Sequence, residues 1–174
     1  MRAIFLGILT GGILISQCFA GGKRETFADG KISVEIPDGW SPSDLNKERT
    51  LGGWASSDKT TSVYFLSFLA GNGAMQDVLD STIENYAKQF KLSKESKPKT
   101  GTINGPGEKK WPAIYVSLEG DMDAQPVPFR MKFYLMIFDV GDAQYLIQAT
   151  STRPIWDVRE RQILEMIRSV VARS

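Results

Sequence analysis

The side chains of this chain that could do chemistry are carboxylates and tryptophans, because the usual catalytic side chains are scarce. The chain has no histidine, and its one cysteine is Cys18. Histidine is the commonest general base and zinc ligand, and a cysteine thiolate is the usual thiol nucleophile. Zinc proteases, Ser-His-Asp hydrolases, papain-like enzymes, haem proteins and iron–sulfur proteins are therefore poor candidates. Catalysis by paired carboxylates and calcium binding by oxygen ligands stay open.

Asp121 and Asp123, which follow Glu119-Gly120, could offer oxygen ligands to calcium. An EF-hand loop would also need a further acidic residue, a central glycine and a late glutamate, which residues 124–126 do not supply. A solvated hairpin loop is the favoured interpretation. We therefore assign no catalytic, cofactor-binding or metal-binding residue and expect no cofactor.

The tryptophans could stack on a sugar, but each has a structural interpretation that is favoured. Trp111 follows the charged run 108–110 and is predicted to start a strand with its ring inward. Trp40 follows a Pro-Asp-Gly turn and is predicted to plug the end of a sheet. Trp54 follows two glycines that are too few for a phosphate loop and that indicate a bulge or a close backbone approach.

The stretch between residues 93 and 110 is locally basic. A charge run of this kind is usually solvated and mobile. If the protein has a loop that faces a partner, this stretch is our first choice for it. Its lysines are Lys94, Lys97, Lys99, Lys109 and Lys110.

The first twenty residues have the pattern of a secretory signal. Arg2 precedes an apolar run over residues 3–15, and Cys18 and Ala20 offer small residues at the −3 and −1 positions of a cleavage site. The run is too short, and too often interrupted by glycine, for a transmembrane anchor. We predict that residues 1–20 are removed and that the protein is exported to the periplasm or the outside of the cell.

Lipidation of Cys18 is the alternative at this end of the chain. Lipoprotein signals place the acylated cysteine after an apolar-small-small tripeptide, and Gln17 puts a bulky amide directly before Cys18. Ordinary cleavage is therefore favoured. Cleavage after Ala20 would leave a mature chain with neither histidine nor cysteine, and hence no disulfide bond.

The mature chain, residues 21–174, has the length of one domain. Without Arg2 it carries as many basic as acidic residues. A neutral chain offers no electrostatic footprint for nucleic acid or for an anionic membrane surface. We expect a single domain with no nucleic-acid partner and no transmembrane span.

Hydrophobic periodicity predicts an α+β fold. Helical spacing of apolar residues predicts an amphipathic helix over residues 75–90 and a terminal helix over 154–171. The run 61–69 is apolar on both faces, which is typical of a strand inside a sheet. We predict an α/β/α sandwich with a central, mostly antiparallel sheet flanked by two main helices. The predicted strands are 31–36, 50–56, 61–69, 111–118, 129–138 and 144–151, with a short edge strand at 100–104.

This order of elements resembles the PsbP-like superfamily. An opening strand runs into Ile36-Pro37-Asp38-Gly39-Trp40, a hairpin and a helix ending near Phe90 follow, and a three-strand meander precedes the last helix. The resemblance covers the whole mature chain, and the Pro-x-Gly-Trp turn is its only local signature. It implies an α/β/α sandwich and mostly non-enzymatic roles, in binding a protein partner or supporting an envelope assembly. The metal positions proposed for photosynthetic members involve histidine, so none is carried over.

We therefore expect an exported, non-enzymatic binding or assembly module of the bacterial envelope, whose partner is another envelope protein. One alternative is a carboxylate-dependent carbohydrate-active or calcium-dependent glycan-binding protein, which would depend on Asp121, Asp123 and the tryptophans. The other is a lipoprotein whose function lies in an anchor at Cys18.

Overall fold

The computed structural model of the chain describes residues 22–43, 50–69, 73–122 and 129–174. The predicted signal segment with Cys18 lies outside these residues, and so does Asp123 of the predicted acidic pair. Neither helix of the described part is long and apolar enough to cross a membrane.

The described part of the chain folds into eleven strands and two helices. The strands are β1 (Lys23–Phe27), β2 (Ile32–Ile36), β3 (Ser41–Pro42), β4 (Thr50–Ala55), β5 (Thr61–Leu69), β6 (Lys91–Glu95), β7 (Lys99–Asn104), β8 (Lys110–Met122), β9 (Phe129–Asp139), β10 (Ala143–Thr152) and β11 (Val171–Ala172). The helices are α1 (Met75–Gln89), which follows β5, and α2 (Arg153–Arg168), which follows β10.

The strands form one curled, mostly antiparallel sheet. Its order is β1-β2-β11-β7-β8-β9-β10-β5-β4-β3, and β6 pairs with β8 beside this path. Among the described strands, β11 and β7 pair in parallel, and the other pairs are antiparallel. The sheet curls so that β1, at one end of this order, lies near β4 and β5 at the other end. The Phe27 ring of β1 lies 5.4 Å from that of Trp54 in β4 and 5.1 Å from that of Phe65 in β5. These features confirm the predicted α+β class and the mostly antiparallel sheet.

The two helices pack against different sets of side chains on the central strands. In β9, Phe133, Leu135 and Ile137 pack with α1, whereas Tyr134, Met136 and Phe138 pack in the cluster that contains α2. Successive side chains of a strand point to opposite faces, so this alternation follows directly from the pleat. β9 is therefore covered on both faces over its second half.

The basic stretch after α1 is more ordered than a solvated loop: the edge strand predicted at 100–104 is present as β7, and β6, which the sequence does not predict, precedes it. Both strands pair, one after the other, with the same edge of β8. β7 is an edge strand over only part of its length, because Val171 of β11 pairs with Asn104. Polar residues in β6 obscure the period-two pattern, and the pairing of this strand with β8 decides its conformation.

The terminal helix ends at Arg168, before the predicted end at residue 171. Val171 pairs with Ser33 and Asn104, and the buried Ala172 carbonyl accepts a hydrogen bond from Trp111 Nε1 at 2.9 Å. These long-range bonds replace the helical ones, although the apolar pattern of the sequence continues through this segment.

Replacing Trp111 with phenylalanine is expected to lower the free energy of unfolding by about 1–3 kcal/mol, because the Ala172 carbonyl would be left buried without a donor. Urea unfolding measures the change. Trp54→Phe is the matched control, since Trp54 is also buried but its indole makes no hydrogen bond to the described residues. Equal losses in the two variants would contradict this role of the indole N–H.

The turn of the β4–β5 hairpin is organised by the exposed carboxylate of Asp58. Hydrogen bonds from Ser56 and Thr60 lower its pKa well below the ordinary value, and Arg159 Nη2 adds an ion pair at 3.2 Å. A group whose pKa is lowered by folding stabilises the fold above its unfolded pKa of about 3.9. That contribution disappears as the pH falls through the folded-state pKa.

We therefore expect Asp58→Asn to be less stable than the parent protein at pH 7, with a difference that shrinks as the pH falls below about 4. Urea unfolding across this pH range measures it. Asp38→Asn, in another exposed turn, is the control and is expected to change little. A stability difference for Asp58→Asn that is independent of pH would contradict the expectation.

Candidate binding cleft

A cleft of about 430 Å³ opens between helix α2 and the strands β7, β8 and β9. All the residues that form it belong to the described part of the chain. Its strand side is formed mainly by side chains at alternate positions, which point toward α2. Its helix side is formed by residues three and four apart, which share one face of a helix.

The strand wall of the cleft is aromatic. Strand register places Tyr115 opposite Lys99 and Met136, and Tyr134 opposite Ser117. The rings of Tyr115 and Tyr134 are therefore diagonal neighbours, and they stack with centroids 5.5 Å apart and planes inclined by 24°. The half-buried Tyr115 and the buried Tyr134 thus give the cleft an aromatic wall against which an apolar or aromatic group could pack.

Gly101 of β7 lets one of these rings lie close to the neighbouring strand. A Cβ atom at this position would lie 3.2 Å from Tyr115 Cε1. A glycine inside a strand often marks such a close approach. The missing side chain also leaves space between β7 and the helix wall.

The helix wall combines apolar and charged side chains of α2. Leu164 and Ile167 face the cleft beside Glu160 and Arg168. Burial raises the pKa of the Tyr134 phenol, and the positive charge of Arg168 opposes this shift. The phenol is therefore neutral at physiological pH and can donate a hydrogen bond.

The unpaired charge of the cleft is positive. Neither Lys99 nor Arg168 forms a salt bridge within the described ranges. Glu160, by contrast, lies 3.7 Å from Lys132 Nζ and accepts a hydrogen bond of 3.0 Å from Trp156 Nε1. The arrangement therefore suits a ligand with an apolar or aromatic group and a negative charge.

The predicted carboxylate site is not assembled in the described residues. Asp121 lies in strand β8, where it pairs with Arg130 at 3.1 Å, and Asp123 lies outside the described part. No group of three acidic, histidine or cysteine residues among those described could hold a metal ion. The cleft has a single carboxylate in its lining, Glu160, and its charge is already balanced.

The tryptophans lie away from the cleft lining. Trp54, Trp111 and Trp156 are buried, and Trp40 is half-buried against the same core cluster. The glycines before Trp54 allow a close approach, as predicted: a Cβ at Gly53 would lie 2.4 Å from Tyr64 Cδ1. The ring of Trp111 points inward, also as predicted, with Lys109 Nζ 3.6 Å from its centroid.

Sequence reasoning singled out Lys99 in the basic stretch but did not single out Tyr115, Tyr134 or Gly101. The available signal was weak: a glycine between two threonines in a predicted strand, and one tyrosine in each of two later strands. Nothing in their spacing indicates that these residues meet.

Comparison with known proteins gives matches in structure but not in sequence. No family model matches the chain, and no curated protein matches it either. Cyanobacterial PsbP (CyanoP) from Synechocystis sp. PCC 6803 superposes with a TM-score of 0.56 at 10% identity, over 90% of this chain and 95% of that one.

Two further solved structures are similar over most of their length. The Ran-binding protein Mog1p of Saccharomyces cerevisiae has a TM-score of 0.56 at 8% identity, over 86% of this chain and 94% of its own. LpqN, involved in cell envelope biogenesis of Mycobacterium tuberculosis, has a TM-score of 0.57 at 13% identity, over 88% and 91%. At these identities the likeness concerns the fold alone. The chain has the PsbP-like fold, as the element order and the Pro-x-Gly-Trp turn of its sequence predict.

Proposed function

We propose that the chain is an exported, non-enzymatic binding or assembly module of the bacterial envelope, and that a partner protein docks at the cleft between β7–β9 and α2. The observation that carries this proposal is the cleft itself, with stacked tyrosines and two cations that have no salt bridge in the described structure. Aromatic and arginine side chains are enriched where proteins bind one another.

Proteins of the same fold support a binding role. Mog1p is a Ran-binding protein, and LpqN is involved in cell envelope biogenesis. Since fold does not determine function, the cleft rather than the likeness selects the proposed docking site. The signal-like residues 1–20 support export.

We also propose that residues 21–174 form one domain built as an α/β/α sandwich. The packing of α1 and α2 with opposite faces of β9 supports three layers. The continuous sheet order, which joins strands from both ends of the described chain, supports a single domain.

Site-specific photo-crosslinking tests the docking site. A benzophenone amino acid replaces the exposed Thr102 at the rim of the cleft, and in a matched variant it replaces the exposed Asn85 of α1. After irradiation with envelope extract of the source organism, we expect a discrete adduct from position 102 that excess unlabelled protein abolishes. No adduct at 102, or the same adducts from both positions, would overturn the proposal.

Charge reversal provides a second arm of this experiment. In the chain that carries the crosslinker at position 102, Lys99→Glu with Arg168→Glu is expected to lower the adduct yield about tenfold, because complementary charge guides and holds the partner. Lys88→Glu with Lys59→Glu makes the same change in net charge on exposed residues outside the cleft lining and away from β6 and β7. Equal losses in both variants would indicate a general charge effect and contradict docking at the cleft.

Export predicts a defined N-terminus. Mass spectrometry of the protein recovered from the cell envelope or medium is expected to show Gly21 as an unmodified first residue, because Cys18 and Ala20 fit the cleavage pattern. An acylated Cys18 would contradict this prediction and establish the lipoprotein alternative. Recovery of intact residues 1–20 from the cytoplasm would contradict export.

A further inference from the structure

Within the described ranges, strand β7 has an edge beside the cleft that is open over Thr100 and Thr102. Gly105 N donates to the Lys109 carbonyl at 2.8 Å, and this pair continues the β7–β8 register. In an antiparallel ladder, successive residues alternately direct their N–H and C=O groups toward and away from the partner strand. This alternation directs the backbone groups of Thr100 and Thr102 away from β8.

Among the described residues, the position of the next strand beside this edge is only partly filled, by β11. β11 pairs with β7 at Asn104, and its two residues extend no further along that strand. The element before β11 in the chain is helix α2 and not a strand of the sheet. The Arg168 carbonyl at the end of α2 accepts a hydrogen bond of 3.0 Å from Asn104 Nδ2. Thr102 itself lines the cleft, so the space beside the open edge adjoins the cleft between β7 and α2.

An extended peptide could use this edge and the cleft at the same time. A strand added to an open sheet edge gains main-chain hydrogen bonds, and pockets for its alternate side chains give specificity. Here the alternate side chains on the α2 side would meet Tyr115, Tyr134 and Leu164. The cleft therefore offers the side-chain pocket that strand addition requires.

The charge beside the open edge selects an acidic partner. The exposed lysines Lys91, Lys94, Lys97 and Lys99 follow one another along β6 and β7. Of these four lysines, only Lys94 forms an ion pair with another described residue, at 4.0 Å from Glu119. Lysine on an edge strand also discourages edge-to-edge aggregation, but that role does not require an aromatic cleft or an adjacent Arg168.

We propose that the open edge of β7 binds an acidic peptide segment of a partner protein by strand addition. An apolar or aromatic side chain of that segment enters the cleft, and its carboxylates lie beside Lys99 and Arg168. This inference rests on the proposed binding function and adds the mode of binding and the chemistry of the ligand.

Amide hydrogen exchange followed by NMR tests strand addition directly. The probe is a pool of capped octapeptides in which glutamate alternates with randomised apolar residues, and the control pool has lysine in place of glutamate. We expect the glutamate pool to slow exchange of the Thr100 and Thr102 amides at least tenfold and the lysine pool to leave it unchanged. No protection by the glutamate pool, or equal protection by both pools, would overturn the proposal.

A pair of variants separates main-chain pairing from side-chain contact. Thr102→Pro removes one outward N–H and leaves the ladder with β8 intact, whereas Thr102→Val keeps that N–H and removes the hydroxyl. We expect the glutamate pool to bind Thr102→Pro about tenfold more weakly than Thr102→Val. Equal affinities for the two variants would contradict strand addition. If Thr102→Pro folds poorly, the exchange measurement on the parent protein still tests the proposal.

Other occupants of the edge give different results. If a second copy of the chain covers the edge, the Thr100 and Thr102 amides are protected without peptide and exchange faster on dilution, and the proposal fails. If residues 1–21 cover it, protection without peptide is independent of concentration and disappears when they are removed, and the proposal also fails. A position-102 adduct that persists while the glutamate pool gives no protection would overturn strand addition and leave the proposed function standing.

Discussion

Replacing Trp156 with alanine is expected to lower the free energy of unfolding by about 3–5 kcal/mol. Its side chain is 1% exposed and packs between α2 and the sheet. Its Nε1 donates to Glu160 at 3.0 Å, and Lys132 Nζ lies 4.9 Å from its ring centroid. Truncation therefore leaves a cavity, and it also removes the indole that contacts both partners of the Lys132–Glu160 ion pair. Urea unfolding followed by circular dichroism measures the loss.

The matched control for this prediction is Val158→Ala in the same helix. Val158 is 73% exposed, so its truncation is expected to change the free energy of unfolding by no more than about 0.5 kcal/mol. A loss for Trp156→Ala that is no greater than that of the control would contradict the packing of α2 described above. Because domains of this size are stable by about 5–15 kcal/mol, the expected loss is a large fraction of the total.

Replacing Gly53 with alanine is expected to lower the free energy of unfolding by about 1–3 kcal/mol. The added Cβ would lie 2.4 Å from Tyr64 Cδ1 and 2.9 Å from the Ser43 carbonyl oxygen. The Tyr64 ring is 5% exposed, and its hydroxyl forms a hydrogen bond of 2.9 Å with Ser43 Oγ. The ring cannot move aside without disturbing that bond or the core, so the strand pair must distort.

Gly101→Ala is the matched control, because Gly101 is also a strand glycine beside a tyrosine. Its Cβ would lie 3.2 Å from Tyr115 Cε1, and that ring is half-buried and can shift by a few tenths of an ångström. We expect a change below about 1 kcal/mol. If urea unfolding shows Gly53→Ala to be as stable as the parent protein, the close approach of β4 and Tyr64 is wrong.

Local sequence patterns predicted the elements whose residues carry a strong period. The β4–β5 and β9–β10 hairpins and helix α1 lie where the sequence indicates them. β1 was not predicted, because Lys23–Phe27 contains a single large apolar residue and has no alternating pattern. Its strand conformation comes from pairing with β2 and from the contact of Phe27 with Trp54 and Phe65.

The cleft could be predicted only in part. The basic stretch that contains Lys99 was the first choice for a partner contact, and Lys99 does line the cleft. The stacked pair was not foreseen, because Tyr115 and Tyr134 meet only through the register that sets Ser117 opposite Tyr134. No residue motif encodes that register, which depends on burying one face of each strand.

The sequence by itself determined the elements whose residues carry a strong apolar period, and it showed that the usual catalytic side chains are scarce. Both are local properties, because apolar periodicity and the residue types present, without histidine, can be read without knowing the fold. The tertiary structure alone decided where α2 ends, how the sheet curls and which side chains meet across the cleft. These features depend on pairing between residues far apart in sequence, such as Asn104 with Val171, whose free energy no local pattern contains.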